Sequence, residues 1–200
     1  MTRDRDVAAF DERARRYDEG WLGRLHHEIA ERTAGLAATT GEPPAAVLDV
    51  GCGTGDLLRL LARRWPGTEQ LVGVDPAPSM IEIAAAAADD GRLRFSSGVA
   101  ERLPFPDGAF ELVVSTTSFD HWADQQAGLR ESARVLAPGG RLVLVDQFSA
   151  WLLPTLVAGR RDKARTRRRA ERLLAAAGFD APAWHPLYGG IIKAVAATRP

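Results

Sequence analysis

VLDVGCGTG, at residues 47–55, decides how this chain folds. The apolar run 45–50 predicts a buried parallel strand, because strands of this kind are covered on both faces and read as continuous apolar runs. The three glycines at alternate positions predict a tight turn, and a helix is predicted over 57–65, ending before Pro66 and Gly67. Glycine permits positive φ and has no Cβ, so a ligand can lie against the backbone of such a turn.

Predicted strands and helices alternate from residue 45 to the end of the chain. Apolar runs between turn residues predict strands at 45–50, 71–74, 93–95, 110–115, 141–145, 183–188 and 191–197. Helices are predicted between them at 57–65, 79–88, 124–136 and 163–177. This alternation favours an α/β fold, with a doubly wound, mostly parallel, seven-stranded sheet of the Rossmann-like kind and helices on both faces. Ligands of such sheets bind beyond the carboxyl ends of the strands.

The whole chain, residues 1–200, is predicted to form one domain. A helical cap over 1–40, broken near Gly20, is expected to precede an α/β core over 41–200. The cap prediction rests on apolar residues at helical spacing, namely Phe10, Ala14, Tyr17, Leu22, Leu25, Ile29 and Leu36.

The composition disfavours several classes of protein. Lys and Arg together number 26 and so do Asp and Glu, which gives no indication of a chain built to coat nucleic acid or an anionic membrane. Cys52 is the single cysteine, so an internal disulfide is excluded and a reducing compartment is the simple interpretation. No apolar run reaches 18 residues, and the charged N-terminus lacks the apolar stretch of a signal peptide. We therefore expect a cytoplasmic protein without a membrane span.

An acidic residue follows the second predicted strand. Asp75 stands twenty residues past Gly55, where a carboxylate can accept hydrogen bonds from both hydroxyls of a ribose. Dinucleotide enzymes place a third glycine beside the pyrophosphate, but this chain has Asp56 there, and the phosphate loop that ends in Gly-Lys-Ser/Thr is absent. With Asp49 before the turn as well, the pattern suits a ligand with an amine and a sulfonium. A purely structural turn stays open as the alternative.

Several motifs in order carry a family resemblance. DVGCGTG followed by GVDPAPSM resembles the first two motifs of the class I methyltransferases that depend on S-adenosylmethionine (SAM). GVAERLPF at 98–105 and the segment Phe10 to Asp18 resemble the ubiquinone/menaquinone-methyltransferase-like branch, which acts on small molecules. FELVVS at 110–115 resembles the fourth-strand motif, and LAPGGRL at 136–142 resembles the turn from the helix into the fifth strand. The resemblance implies a SAM cofactor and methyl transfer to a small-molecule acceptor.

The resemblance also implies which residues hold the cofactor. They are Tyr17, Asp49, Gly51, Cys52, Gly53, Gly55, Asp75, Pro76, Met80, Val99, Ala100, Glu101 and Ser115. Asp49 and the glycine turn would hold the methionine part and Asp75 the ribose. Pro76 and Met80 would pack on the adenine, and Ser115 would line the methionine end with its backbone. Tyr17 would close over the cofactor.

One position departs from the family pattern. The family usually has Asp where this chain has Val99, and that Asp bonds the adenine amino group. We expect adenine binding to be weaker by about 1–2 kcal/mol if one hydrogen bond is lost. Glu101 either compensates for the change or is an exposed acid, and both interpretations stay open.

The catalytic candidates are His121 and Asp120, just past the fourth predicted strand. The methyl donor is already activated, so alignment supplies much of the catalysis, and a base is needed only for a poorly ionised acceptor. Histidine titrates near neutral pH and could take that proton. Both residues also fit a structural role at the start of the next helix.

The remaining features give weaker expectations. His26 and His27 are adjacent on a predicted helix and make a poor metal pair, so we assign no metal site. The basic segment 159–172 could bind an anionic substrate or RNA, or it could be a solvated helix face, and its lack of aromatics disfavours nucleic acid. The apolar stretch 148–159 would form a small lid over the acceptor. Two alternatives to a small-molecule methyltransferase stay open, a non-catalytic SAM-binding protein and a methyltransferase that acts on RNA. A homodimer also stays open.

Overall fold

The structure, a computed structural model, describes residues 7–8, 11–12, 14, 20–148 and 166–200, without the side chain of Leu22. Tyr17, the lid prediction beyond Phe148 and the first half of the basic segment lie outside these residues. The described elements are α1 (Gly20–Thr39), β1 (Ala46–Val50), α2 (Asp56–Arg64), β2 (Gln70–Asp75), α3 (Pro78–Ala86), β3 (Leu93–Ser97), β4 (Phe110–Thr116), a 3-10 turn (Phe119–His121), α4 (Gln125–Val135), β5 (Leu136–Gln147), α5 (Arg167–Ala176), β6 (Asp180–Tyr188) and β7 (Ile192–Thr198).

The strands form one seven-stranded sheet in the order β3-β2-β1-β4-β5-β7-β6. Strands β1 to β5 pair in parallel, and β7 runs antiparallel between β5 and β6. The prediction of a mostly parallel, seven-stranded sheet is therefore confirmed. Element ends agree within a few residues, except that β5 begins at Leu136 and not at Arg141. Phe110 pairs with Leu136, and the register of the two strands shifts directly after this pair. The strand therefore includes the Pro-Gly-Gly turn.

Helices cover both faces of the sheet. Alternate residues of each central strand point to opposite faces, so both faces carry apolar side chains that must be covered. On one face Leu48 and Val72 belong to a buried cluster with apolar side chains of α4 and α5. On the other face Val47 and Val114 pack with side chains of α1 and α2. Burial on both faces explains why the strands are apolar at nearly every position. These apolar runs are what predicted the strands from the sequence.

The strand order reverses between β1 and β4, which are neighbours although two strands separate them along the chain. A crevice opens at such a point beyond the carboxyl ends of the strands, because the connections leave in opposite directions. The glycine turn follows β1 at this crevice. The N–H groups of Gly51 and Cys52 donate to the carbonyl of Val74 at 2.8 and 3.0 Å and tie the turn to β2.

Among the described residues, no helix has the length and apolar character that crossing a bilayer requires.

Candidate active site

The three glycines of the turn have positive φ, at 77° for Gly51, 51° for Gly53 and 80° for Gly55. They differ in what surrounds them. A Cβ on Gly51 would overlap the side chain of Ser118, and one on Gly55 would press on Phe95 at 2.7 Å. A Cβ on Gly53 would meet nothing within 4 Å. Gly51 and Gly55 therefore permit packing, whereas Gly53 leaves a length of bare backbone open to a ligand.

Asp75, at the end of β2, supports this backbone from the side. Its Oδ2 accepts a hydrogen bond from the N–H of Gly53 at 3.0 Å, and its Oδ1 accepts one from Ala77 at 2.9 Å. Burial raises the pKa of Asp75, and these two hydrogen bonds oppose the rise. Each carboxylate oxygen keeps a lone pair, so the group can accept further hydrogen bonds from a diol in the crevice.

The main cavity extends from Asp75 across the crevice. The sequence-predicted residues that line it are Gly51, Gly53, Asp75, Pro76, Met80, Val99, Ala100, Glu101 and His121. Met80 is buried, and Ala14 of the N-terminal segment packs in the same cluster. Val7 also lines the cavity, so described residues of the N-terminal segment meet the α/β core there.

A second cavity, here called the inner cavity, also borders the glycine turn. Asp49, Cys52 and His26 line it, and it shares Gly53 and Thr116 with the main cavity. Asp49 is 2% exposed, and its Oδ1 has no hydrogen-bond partner among the described residues. Burial first, and then repulsion from Asp75, raise the pKa of Asp49 to about 8.

Buried polar atoms are normally hydrogen-bonded, so an orphaned carboxylate oxygen indicates a missing partner. The hydroxyl Oγ1 of Thr116 is also buried, has no hydrogen-bond partner within the described part of the chain, and lines the same cavity. An ammonium group has three donors and can satisfy buried oxygens of this kind. This donor-seeking pair fits the amino end of SAM.

Cys52 packs its sulfur where Gly73 of β2 has no side chain, because a Cβ there would lie 2.7 Å from the sulfur. Burial first, and then the charges of Asp49 and Asp75, raise the pKa of the thiol well above its ordinary value. A thiol held protonated is a poor nucleophile, so Cys52 acts here as a small packing residue.

Three other predicted site residues lie elsewhere or make other contacts. Gly55 and Ser115 line neither of the two cavities, and the hydroxyl of Ser115 instead bonds that of Ser118 at 2.7 Å. Glu101 lines the main cavity, but its Oε1 accepts a hydrogen bond from the N–H of Asp124, just before α4, at 3.0 Å. Their contacts with a cofactor stay predictions.

The two catalytic candidates separate in the structure. His121 lines the main cavity. Its backbone N–H donates to the carbonyl of Ser118 at 2.9 Å and so forms the 3-10 turn. Asp120 lines neither of the two cavities, and its N–H donates to Oδ2 of Asp146 on β5 at 2.9 Å. Position thus favours His121 over Asp120 as a group that reaches a substrate.

Sequence reasoning missed residues at the end of β4 and directly after it. Thr116, Thr117, Ser118 and Trp122 all line the main cavity. Thr117 has φ of 54°, which is rare for a β-branched residue and is typical of strained functional sites. Four small hydroxyl residues in a row at a strand end, next to the reversal of strand order, were the available sign.

Comparisons with known proteins agree with this geometry. Residues 47–140 match a family model described as a methyltransferase domain. The chain is 42% identical over 142 residues to a demethylmenaquinone methyltransferase of Thermus thermophilus, covering 68% of this chain and 63% of the relative. A Deinococcus radiodurans protein of the same name is 41% identical over 131 residues, covering 64% of this chain and 50% of the relative. The chain thus spans only part of the length of these relatives.

The fold has close structural matches too. A chain of the complex between the Haloferax volcanii Trm112 methyltransferase activator and a putative methyltransferase superposes with a TM-score of 0.82 at 23% identity, covering 96% of this chain and 97% of that one. The glycine turn, the acid after β2 and the methyltransferase relatives lead to one conclusion. Over the matched residues this chain is similar to the class I SAM-dependent methyltransferases of the ubiquinone/menaquinone-methyltransferase-like branch.

Proposed function

We propose that this protein transfers the methyl group of SAM to a small-molecule acceptor. One observation carries the proposal: two cavities meet at the bare backbone of Gly53, with the buried carboxyl of Asp49 on one side and that of Asp75 on the other. The amino end of SAM would bind Asp49, its ribose would bind Asp75, and its adenine would pack between Met80 and Ala100. The sulfonium would then lie near Gly53, where the cavities join.

The charge of the two cavities supports a cationic donor. Asp49, Asp56, Asp75 and Glu101 line them, and no Lys or Arg is among the described lining residues. Such a surface attracts a sulfonium and an ammonium but repels a pyrophosphate. A nicotinamide or nucleotide phosphate cofactor is therefore a poor fit.

The chemistry needs little beyond alignment. A nucleophilic atom of the acceptor forms a bond to the methyl carbon as the bond from carbon to sulfur breaks, and the sulfur keeps the electron pair and becomes a neutral thioether. Holding the two atoms in line supplies much of the rate. His121 would accept the proton that a hydroxyl or carbon acid loses. The thioether product has lost the positive charge that the acidic cavities attract.

The names of the relatives supply the first acceptor to test, a demethylmenaquinone in its reduced, quinol form. A cytoplasmic location and a homodimer remain part of the proposal. RNA is less favoured as an acceptor. In the described part of the basic segment, Arg167 lies 2.8 Å from Glu171 and 5.5 Å from the centre of the Trp184 ring, so it already has partners within the domain.

The experiment has two stages. Calorimetric titration compares SAM with NAD, and transfer from methyl-labelled SAM to a short-chain reduced demethylmenaquinone, and then to a panel of phenols and amines, measures turnover. Gly53→Ala is expected to abolish SAM binding, because its Cβ would enter the ligand space. Gly139→Ala is the matched control, since Gly139 has a similar positive φ of 77° and equally open surroundings but lines neither of the two cavities.

Three outcomes separate the possibilities, and a variant of His121 tests the base role. Binding of SAM with transfer to a small acceptor supports the proposal. Binding without transfer to any acceptor favours the non-catalytic SAM-binding protein. Preference for NAD overturns the cofactor assignment. With a hydroxyl or carbon acceptor, His121→Gln is expected to lower kcat by about 10²–10⁴ at unchanged SAM affinity, and an unchanged kcat would remove His121 from the base role.

A further inference from the structure

The hydroxyl of Ser118 joins three parts of the crevice. It donates to the carbonyl of Val50, the last residue of β1, at 2.8 Å. It lies 2.7 Å from the hydroxyl of Ser115 at the end of β4. The indole N–H of Trp122 donates to it at 3.3 Å. One oxygen atom thus connects the glycine turn, the end of β4 and the wall of the main cavity.

The proton positions in this group follow from counting donors and acceptors. A serine hydroxyl has one proton and two lone pairs. The carbonyl of Val50 can only accept, so the proton of Ser118 points to it. The indole of Trp122 can only donate, so it uses one lone pair. Ser115 must then donate to the other, and the hydroxyl of Ser118 is fully satisfied.

The side chain of Ser118 also sets the position of the glycine turn by contact. It fills the space that a side chain on Gly51 would need. On the opposite side Trp122 packs where Gly128 of α4 has no side chain, since a Cβ there would overlap the indole ring. The carbonyl of Ser118 begins the turn that brings His121 to the cavity. Ser118 therefore lies between the glycine turn, whose backbone would hold the methyl donor, and the turn that would face the acceptor.

We propose that Ser118 is a positioning residue that fixes the glycine turn at a set distance from the turn carrying His121 and Trp122. It acts through these groups and not on the reacting atoms. This inference deepens the proposed function, on which its kinetic consequence rests. Methyl transfer depends on alignment, so an error in this distance lowers the rate of transfer more than it lowers cofactor affinity.

The test compares three variants. Ser118→Ala removes all three hydrogen bonds, Ser115→Ala removes one from the same group, and Ser118→Thr keeps the hydroxyl. Binding of the product S-adenosylhomocysteine is expected to weaken about threefold in Ser118→Ala, while kcat falls about tenfold or more. Ser115→Ala, which removes one of these hydrogen bonds, is expected to lower kcat less than Ser118→Ala does, and Ser118→Thr is expected to recover most of kcat.

A second measurement does not depend on catalysis. In the ¹⁵N–¹H spectrum of the whole protein, Ser118→Ala is expected to shift the amide signals of Gly51 and Cys52 together with the indole signal of Trp122, which Trp122→Phe assigns. Ser115→Ala should leave the glycine-turn signals nearly in place. If the signals of the glycine turn do not move in Ser118→Ala, the inference is wrong even when the enzyme is active. If they move but the wild type neither binds SAM nor transfers methyl, the proposed function fails and the positioning contact stands.

Discussion

The turns after β1 and after β4 meet at the same crevice but are built in opposite ways. The glycine turn, residues 51–55, works through missing side chains and through backbone N–H groups that bond the neighbouring strand. The turn after β4, residues 117–124, is held by side chains: Ser118 bonds Val50, and Asp146 accepts from the N–H of Asp120. In the glycine turn an added side chain would clash at two of the glycines. The turn after β4 depends instead on partners far away in the chain.

The two kinds of turn suit two different tasks, which are to bind the cofactor and to align the acceptor with it. A turn made of backbone can present the same N–H groups to the constant part of a cofactor. A turn held by side chains can change its neighbours without altering the sheet, which suits the side of the crevice that faces a variable acceptor. The predictions below test how far the division holds.

Gly51→Ala is expected to have the largest effect, because it combines positive φ with the overlap on Ser118. Strain and overpacking together should lower the free energy of unfolding by about 2–5 kcal/mol. Gly53→Ala carries the strain without the overlap and should lose about 1–2 kcal/mol. Urea unfolding of both variants measures the difference. Equal losses would show that the contact with Ser118 adds nothing.

Asp75→Ala comes next, since Asp75 is the side chain on which the backbone turn depends. SAM affinity should fall by about 1.5–3 kcal/mol, because the ribose loses its acceptor and the N–H of Gly53 loses its partner. Asp75→Asn is the control, as its amide can still accept one of these bonds, and it should lose less. Calorimetry on both variants checks the order, and unchanged SAM binding in Asp75→Ala would remove Asp75 from the ribose site.

Asp49→Asn tests the inner cavity through pH. The pKa of Asp49 is raised to about 8, so between about pH 4 and 8 the folded protein holds a proton that the unfolded chain releases. The contribution of Asp49 to stability therefore falls as pH rises through this range and is constant above it. Relative to the wild type, the Tm of Asp49→Asn should rise with pH, by about 7–15 °C between pH 5 and 8. A pH-independent difference in Tm would contradict this.

The same carboxyl should link cofactor binding to proton release. An ammonium group binds the ionised form of Asp49, so binding below about pH 8 must expel the proton of Asp49. Calorimetry of SAM binding in two buffers with different ionisation enthalpies counts the protons released. The count should approach one near pH 7 in the wild type and fall in Asp49→Asn.

The sequence predicted what depends on residues close together in the chain. The apolar strands, the glycine turn and Asp75 all follow local rules of spacing and burial, and the fold prediction was confirmed. The partners of Ser118 could not be predicted, because Val50 lies 68 positions away and only the pairing of β1 with β4 brings the two together. Likewise, the bond from Asp124 to Glu101 depends on how α4 packs. Local patterns therefore predicted the crevice-lining residues of the glycine turn and of β2 better than those that follow β4.

Val99→Asp is expected to have the smallest effect, and it acts in the direction of gain. Val99 lines the main cavity where the family usually has an acceptor for the adenine amino group. Restoring that acceptor should raise SAM affinity by about 1 kcal/mol, or roughly fivefold, with repulsion from Glu101 limiting the gain. The control is a SAM analogue without the amino group, for which Val99→Asp should gain nothing. An equal gain for both would mean that the new charge attracts the sulfonium from a distance, and that this part of the crevice selects its ligand by charge and not by contact with the base.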